Sequence, residues 1–265
     1  MQTILAVGLF IGLCLAANAA VVTRPIEYKS GDVTLEGYLA YDDSIQAKRP
    51  GVLVVHEWWG LNVYAKDRAR ELAKLGYVAF AADMYGKGMV TTDMTEAGKL
   101  AGQFRGSWDT GGRKLMRDRA QAALTVLAAQ PMVDAKHLGA IGYCFGGTTV
   151  LELAYSGANL AGVVSFHGGL TVPADTDLPG IKARILVLHG ADDGSVKPET
   201  IAALQDALRK GHVDWQMVSY GGAVHGFTNP ANATLPGGMV AYNAKAARRS
   251  WAAMQAFFDE VLRGR

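Results

Sequence analysis

Residues 138–155 read LGAIGYCFGGTTVLELAY, which predicts a strand, a sharp turn and a helix in that order. The apolar run Leu138 to Ile141 is typical of a buried strand, and Phe145 to Tyr155 has helical spacing. Between them lies G-x-C-x-G, the nucleophile-elbow pattern with a thiol in place of the hydroxyl. Gly142 and Gly146 fit this pattern because a Cβ there would clash with the neighbouring strand or helix. We predict that Cys144 is a nucleophile at a helix N-terminus, where thiolates are favoured; the alternative is a buried cysteine that fills an apolar slot.

The rest of the chain repeats the alternation of strand and helix. A hairpin is predicted first, from Ile26 to Lys29 and Val33 to Tyr41 around a Ser-Gly-Asp turn. Further apolar runs are too continuous for strands with one solvated face: 51–56, 77–81, 161–165 and 185–189. Helical spacing occurs over 63–75, 113–129, 198–208 and 241–262. The sequence therefore predicts an α/β fold with a mostly parallel central sheet, helices on both faces and an N-terminal β-hairpin.

Two further side chains complete a catalytic order. An elbow nucleophile in such a fold is followed along the chain by an acid and then by a histidine. Asp193 follows the run 185–189, and His225 lies in a Gly-rich loop after another β run. His225 would accept the thiol proton, and the aspartate would fix its tautomer. Asp192 is the alternative acid, and a turn-forming or helix-capping role for Asp193 is the structural alternative.

Composition excludes several classes of protein. The chain has 265 residues and a formal net charge of +2, which argues against a nucleic-acid footprint. We find neither a histidine spacing typical of zinc sites nor a nucleotide-binding glycine motif, so we expect no metal and no cofactor. The expected partner is a small molecule, and we expect a monomer.

The N-terminus predicts export. The apolar stretch Ile4 to Ala17 ends in Ala17-Asn18-Ala19, which fits a signal-peptide cleavage site. We predict a signal peptide over residues 1–19, a single domain over 20–265, and no membrane contact after cleavage; a retained anchor or a misassigned start codon are the alternatives. The product would be secreted, and periplasmic in a Gram-negative host. Cleavage removes Cys14 and leaves Cys144 as a lone thiol.

Several motifs together resemble the dienelactone hydrolase family of α/β-hydrolases. They cover nearly the whole mature chain and comprise His56-Glu57-Trp58-Trp59-Gly60, Ala82-Asp83-Met84-Tyr85, Gly142 to Gly147, His189 to Asp193 and Gly222 to Phe227. The resemblance implies an α/β-hydrolase fold and a Cys144-His225-Asp193 triad that cleaves esters or lactones through an acyl-thioester. It also implies an oxyanion hole from the backbone N–H groups of Trp58 and Phe145. The second of these groups is expected from the elbow as well.

The resemblance also suggests substrate-binding residues. Glu57 matches the family's acid that contacts the resting thiol, with a solvated loop carboxylate as the alternative, and Tyr85 belongs to the D-x-Y segment. Lys87 and Asn229 occupy positions where family members that open dienelactones carry arginines for the substrate carboxylate. A lysine lacks the planar fork of arginine, and asparagine carries no charge. A neutral ester or lactone is therefore at least as well supported, and Arg105 is a candidate replacement cation. The alternative function is a non-hydrolytic protein of this fold that uses Cys144 as an exported reactive thiol or binds a small ligand.

Overall fold

The computed structural model of the chain describes residues 21–106, 111–234 and 238–264. The predicted signal peptide, residues 1–19, lies outside the described residues. Among the described helices, none is both long and apolar enough to cross a membrane.

The described residues form one eight-stranded sheet in the order β1-β2-β4-β3-β5-β6-β7-β8. Its strands are β1 (Val21–Ser30), β2 (Val33–Asp42), β3 (Arg49–Val55), β4 (Val78–Ala82), β5 (Val133–Tyr143), β6 (Gly162–Phe166), β7 (Arg184–Gly190) and β8 (Trp215–Tyr220). The hairpin β1–β2 is antiparallel and joins β4 antiparallel, whereas the strands from β4 to β8 are parallel. The predicted fold class, including the N-terminal hairpin, is confirmed.

Helices cover both faces of the sheet. They are α1 (Val63–Lys74), α2 (Met94–Gly102), α3 (Gly112–Ala128), α4 (Phe145–Tyr155), α5 (Pro198–Lys210) and α6 (Ala244–Arg263). Successive side chains of a strand point to opposite faces. Accordingly Leu53 and Val55 of β3 pack in one apolar cluster with α2, α3, α4 and α5, while Val52 and Val54 pack in another with α1 and α6. Strands buried on both faces explain the continuous apolar runs in the sequence.

Sequence patterns missed α2 and did not delimit β8. The helix α2 lies in a Gly-rich stretch, but Asp93 caps it by accepting the N–H of Glu96 at 2.8 Å. This spacing of an aspartate and a glutamate is a helix-start signal that the sequence offered. The edge strand β8 is only partly buried, so it lacks the apolar run that marks the central strands.

Candidate active site

The turn between β5 and α4 holds Cys144 in a strained conformation. Its φ is +54° and its ψ is −112°, a region that residues with a Cβ rarely adopt. A Cβ on Gly142 would lie 1.9 Å from the carbonyl oxygen of Gly146, and one on Gly146 would lie 2.2 Å from that of Val55. Both glycines therefore permit the close approach that presses the first turn of α4 against the end of β3.

The backbone N–H of Cys144 is held by two acceptors. It donates to the carbonyl of Phe166 at 3.0 Å and to Nδ1 of His167 at 3.1 Å. Since Nδ1 of His167 accepts, the ring proton lies on Nε2, which donates to Oγ1 of Thr228 at 2.7 Å. Burial lowers the pKa of His167 well below its usual range, with a further contribution from the charge of His225. A neutral His167 therefore stabilises the strained turn by accepting the hydrogen bond from the Cys144 N–H.

His167 was not identified from the sequence as a functional residue. It follows β6 directly, at the sheet edge where α/β proteins place their sites, so its position was the available signal. The sequence around His167 does not show that its Nδ1 lies beside the backbone N–H of Cys144. The parallel pairing of β5 with β6 brings these two groups together.

Replacing His167 with phenylalanine is expected to lower kcat about tenfold, because the ring volume stays but one hydrogen bond to the Cys144 N–H is lost. His167→Asn is the matched variant, since an amide oxygen can take the place of Nδ1. We expect it to recover most of the lost kcat in a steady-state assay. A wild-type kcat in His167→Phe would show that the carbonyl of Phe166 alone is enough to hold the Cys144 N–H.

The structure brings Asp193 and His225 to the same edge as Cys144. Nδ1 of His225 lies 2.8 Å from Oδ2 of Asp193, and His225 lines two cavities together with Cys144. Asp193 is buried, whereas Asp192 is exposed, so the acid that contacts the histidine is Asp193. Ser195 fixes the other carboxylate oxygen, to which its hydroxyl donates at 2.5 Å and its N–H at 2.9 Å.

Electrostatics favour a charged histidine in this arrangement. Burial lowers the pKa of His225, but the charge of Cys144 and the hydrogen bonds to Asp193 and Cys144 outweigh it, and the pKa rises to about 10. Burial raises the pKa of Asp193, but the hydrogen bonds from His225 and Ser195 outweigh it and bring the pKa to about 2. The ionised carboxylate of Asp193 thus favours the protonated form of the His225 ring.

The two backbone donors predicted for the oxyanion hole lie beside the thiol. Trp58 lines one cavity with Cys144, and Phe145 lines a second. Among the described residues, neither N–H has a protein acceptor. Tyr85 donates its hydroxyl to the carbonyl of Trp58 at 3.0 Å and packs its ring on Phe145. Tyr85 therefore holds the peptide between Trp58 and Trp59, which follows the Trp58 N–H along the chain.

Glu57 is buried in the cavity wall beside Cys144. Its Oε2 accepts a hydrogen bond from Nδ2 of Asn229 at 2.6 Å. Burial raises the pKa of Glu57 to about 7, although the bond from Asn229 and the charge of His225 oppose this rise. Asn229 is thus a partner of Glu57 in this structure, and contact of Glu57 with the resting thiol stays a prediction.

Glu57→Gln is expected to be more stable relative to wild type at pH 8 than at pH 5. The folded-state pKa lies above the ordinary value of 4.5, so the unfolded chain loses its proton first as pH rises. Wild type therefore loses stability between these two values, and the glutamine variant lacks this loss. The free energy of unfolding of Glu57→Gln minus that of wild type should grow by about 2–3 kcal/mol from pH 5 to pH 8. Urea unfolding at both pH values measures it, and a constant difference would contradict the assignment.

Lys87 lies away from these groups. Its Nζ pairs with Glu27 at 2.7 Å and Glu36 at 3.3 Å on the hairpin, with half of the side chain exposed. It is absent from the described linings of both cavities beside Cys144. Two hairpin glutamates hold the ammonium group of Lys87 in this structure, and its role at the substrate stays a prediction.

Two cavities of about 170 and 560 Å³ open beside Cys144 and His225. Trp59 and Met94 add apolar surface to the smaller one, and Arg105 lines both. Within the described ranges no carboxylate forms an ion pair with Arg105, which lines both cavities.

Comparison with known proteins agrees with this geometry. The sequence profile of the dienelactone hydrolase family matches residues 35–262. The chain belongs to the dienelactone hydrolase family. Members of this family hydrolyse lactone or ester bonds, so the chain is a hydrolase of that kind, and the resemblance found in its motifs is confirmed.

Individual relatives cover most of the chain. A protein of Synechocystis named "Putative carboxymethylenebutenolidase" is 29% identical over 259 residues, which covers 91% of this chain and 98% of that protein. A solved structure titled "m3DLH" is 45% identical with a TM-score of 0.87 and covers 92% of this chain and 99% of its own. The structure of a dienelactone hydrolase-like promiscuous phosphotriesterase from metagenomic libraries is 43% identical with a TM-score of 0.86, and the match covers 91% of this chain and 99% of that one.

Proposed function

We propose that this protein hydrolyses small carboxylic esters or lactones through an acyl-thioester on Cys144, without a metal or cofactor. The observation that carries the proposal is that Cys144, on a strained strand-to-helix turn, shares its cavities with His225, whose Nδ1 lies 2.8 Å from Oδ2 of Asp193. Family membership supports the reaction class, and this geometry supports the route.

Side chains and backbone groups of the site account for each step. Sγ of Cys144 attacks the carbonyl carbon, and the N–H groups of Trp58 and Phe145 stabilise the oxyanion. The C–O bond to the leaving group breaks while His225 donates its proton to the departing alkoxide. A water then loses a proton to His225 and attacks the thioester carbon, and cleavage of the C–S bond releases the acid and returns Cys144 and His225 to their starting state.

Pre-steady-state kinetics with 4-nitrophenyl acetate tests the proposal. We expect a burst of nitrophenolate equal to the enzyme concentration, followed by slower turnover that reports deacylation. A lactone such as dihydrocoumarin should also be opened. Protein that turns over neither substrate would contradict the hydrolase reading and favour a reactive thiol or a ligand-binding protein.

Arg105 is expected to set the preference for substrate charge. Arg105 lines both cavities beside Cys144, and no described carboxylate pairs with it. Lys87 instead pairs with Glu27, and Asn229 donates to Glu57. Arg105→Ala should lower kcat/KM for the 4-nitrophenyl ester of succinate about tenfold, since a charged hydrogen bond is lost. The neutral 4-nitrophenyl acetate serves as the control and should change less than about twofold. Equal losses for both esters would show that Arg105 does not recognise charge.

We also propose that the protein is exported by cleavage after residue 19 and acts as a monomer in the secreted or periplasmic fraction. N-terminal sequencing of the protein from its host and sedimentation of the mature chain test these two points.

A further inference from the structure

One cavity of the described part of the chain lies outside the catalytic site. It has a volume of about 650 Å³ and lies between α1, α6 and the segment that joins β8 to α6. None of its lining residues lines either cavity beside Cys144. It is therefore a separate space, and the proposed catalytic steps do not use it.

The cavity wall combines aromatic rings with positive charge. Phe166, Tyr242 and Trp251 contribute apolar surface. Three cations face a single carboxylate there: Arg68, Lys74 and Arg248 against Glu71. Glu71 pairs with Arg68 at 2.9 Å, and no described carboxylate pairs with Lys74 or Arg248. The wall thus has an excess of positive charge beside aromatic surface.

The guanidinium of Arg68 is fixed in place before any ligand arrives. It lies over the ring of Tyr64 at 5.0 Å and over that of Trp251 at 5.3 Å. The two ring contacts and the ion pair with Glu71 restrict the side chain. An anion that binds a restricted guanidinium loses little side-chain entropy.

Two buried donors in the same wall lack acceptors. The hydroxyl of Tyr143 and Nε of Arg68 are buried and have no hydrogen-bond partner among the described residues. Tyr143 is only 1% exposed. Tyr143 and Arg68 both line this cavity. A buried donor without an acceptor is unfavourable, and an acceptor atom supplied by a ligand would remove that cost.

We propose that this cavity is a second binding site, for a small organic carboxylate with an aromatic body. The carboxylate would accept from Arg68 and Tyr143 and lie near Lys74 and Arg248, while the ring would pack on Trp251. The site does not depend on the proposed hydrolase chemistry.

Calorimetric titration with 2-naphthoate tests the proposal on the full chain after alkylation of Cys144 with iodoacetamide, which blocks the catalytic cavities. We expect saturable binding of one molecule, with the neutral 2-naphthamide at least about tenfold weaker because it lacks the charge. Arg248→Glu and Arg249→Glu form a matched pair, since both make the same charge change on α6 but only Arg248 lines the cavity. Arg248→Glu should weaken binding at least about tenfold and Arg249→Glu less than about twofold.

Several results would overturn the site. One is a binding heat that does not saturate when alkylated protein is titrated with 2-naphthoate up to about 5 mM, because a specific site would saturate below this concentration. Another is an equal effect of the two glutamate variants, which would indicate a general surface charge effect. Binding that disappears on alkylation, together with competitive inhibition of ester hydrolysis, would place the probe beside Cys144 instead. Both substituted positions are exposed, and a thermal melting temperature equal to that of wild type will show that each variant folds.

Discussion

Cys144→Ala is expected to lower kcat/KM for 4-nitrophenyl acetate at least about 10³-fold, since the nucleophile of the proposed route is lost while the oxyanion donors remain. The variant should also lose the nitrophenolate burst. Alanine fits the turn no worse than cysteine does, because both carry a Cβ at the same positive φ. Thermal melting should therefore change little, so an activity loss would report chemistry.

Cys144→Ser sharpens this prediction. The hydroxyl occupies the place of the thiol, but it ionises far less readily than a thiol and is therefore the poorer nucleophile beside His225. We expect the serine variant to retain little activity, with kcat at least about 10²-fold below wild type. Wild-type activity in either variant would contradict the role of Cys144.

Asp193→Asn is expected to lower kcat about 10³-fold or more, with KM changed far less. The carboxylate contributes to the raised pKa of His225, both by its charge and by the 2.8 Å hydrogen bond to Nδ1. An asparagine carries no charge, and its amide can donate to Nδ1, which favours the wrong tautomer of the ring. The histidine then no longer holds the proton that the leaving group needs.

Ser195→Ala is the matched control for this variant. Ser195 bonds to the other oxygen of the same carboxylate at 2.5 Å, so its removal leaves the contact between Asp193 and His225 intact. We expect a loss of no more than about tenfold, the effect of one hydrogen bond. A loss in Ser195→Ala as large as that in Asp193→Asn would mean that the hydroxyl, which lies 3.4 Å from Nδ1 of His225, takes a direct part.

The sequence predicted the sheet and the elbow because both follow from local chemistry. Strands buried on two faces must be apolar throughout, and the strained turn at Cys144 leaves space only for glycine at positions 142 and 146. The chain order of acid and histidine followed from the same fold, and the structure places both beside the thiol.

What the sequence did not predict depends on contacts between distant segments. Lys87 is engaged by Glu27 and Glu36 because the hairpin folds next to it, and Asn229 meets Glu57 across 172 positions of the chain. His167 supports the turn only because β6 pairs with β5. No local pattern marks any of these contacts, since they depend on tertiary pairing.

Mass spectrometry of rapidly quenched turnover tests the central claim most directly. Protein mixed with 4-nitrophenyl acetate and quenched in acid during the burst should carry one acetyl group, on the peptide that contains Cys144. The label should disappear as substrate is consumed and should be absent from Cys144→Ala. An unmodified Cys144 during active turnover, or an acetyl group on Ser195 instead, would contradict the account.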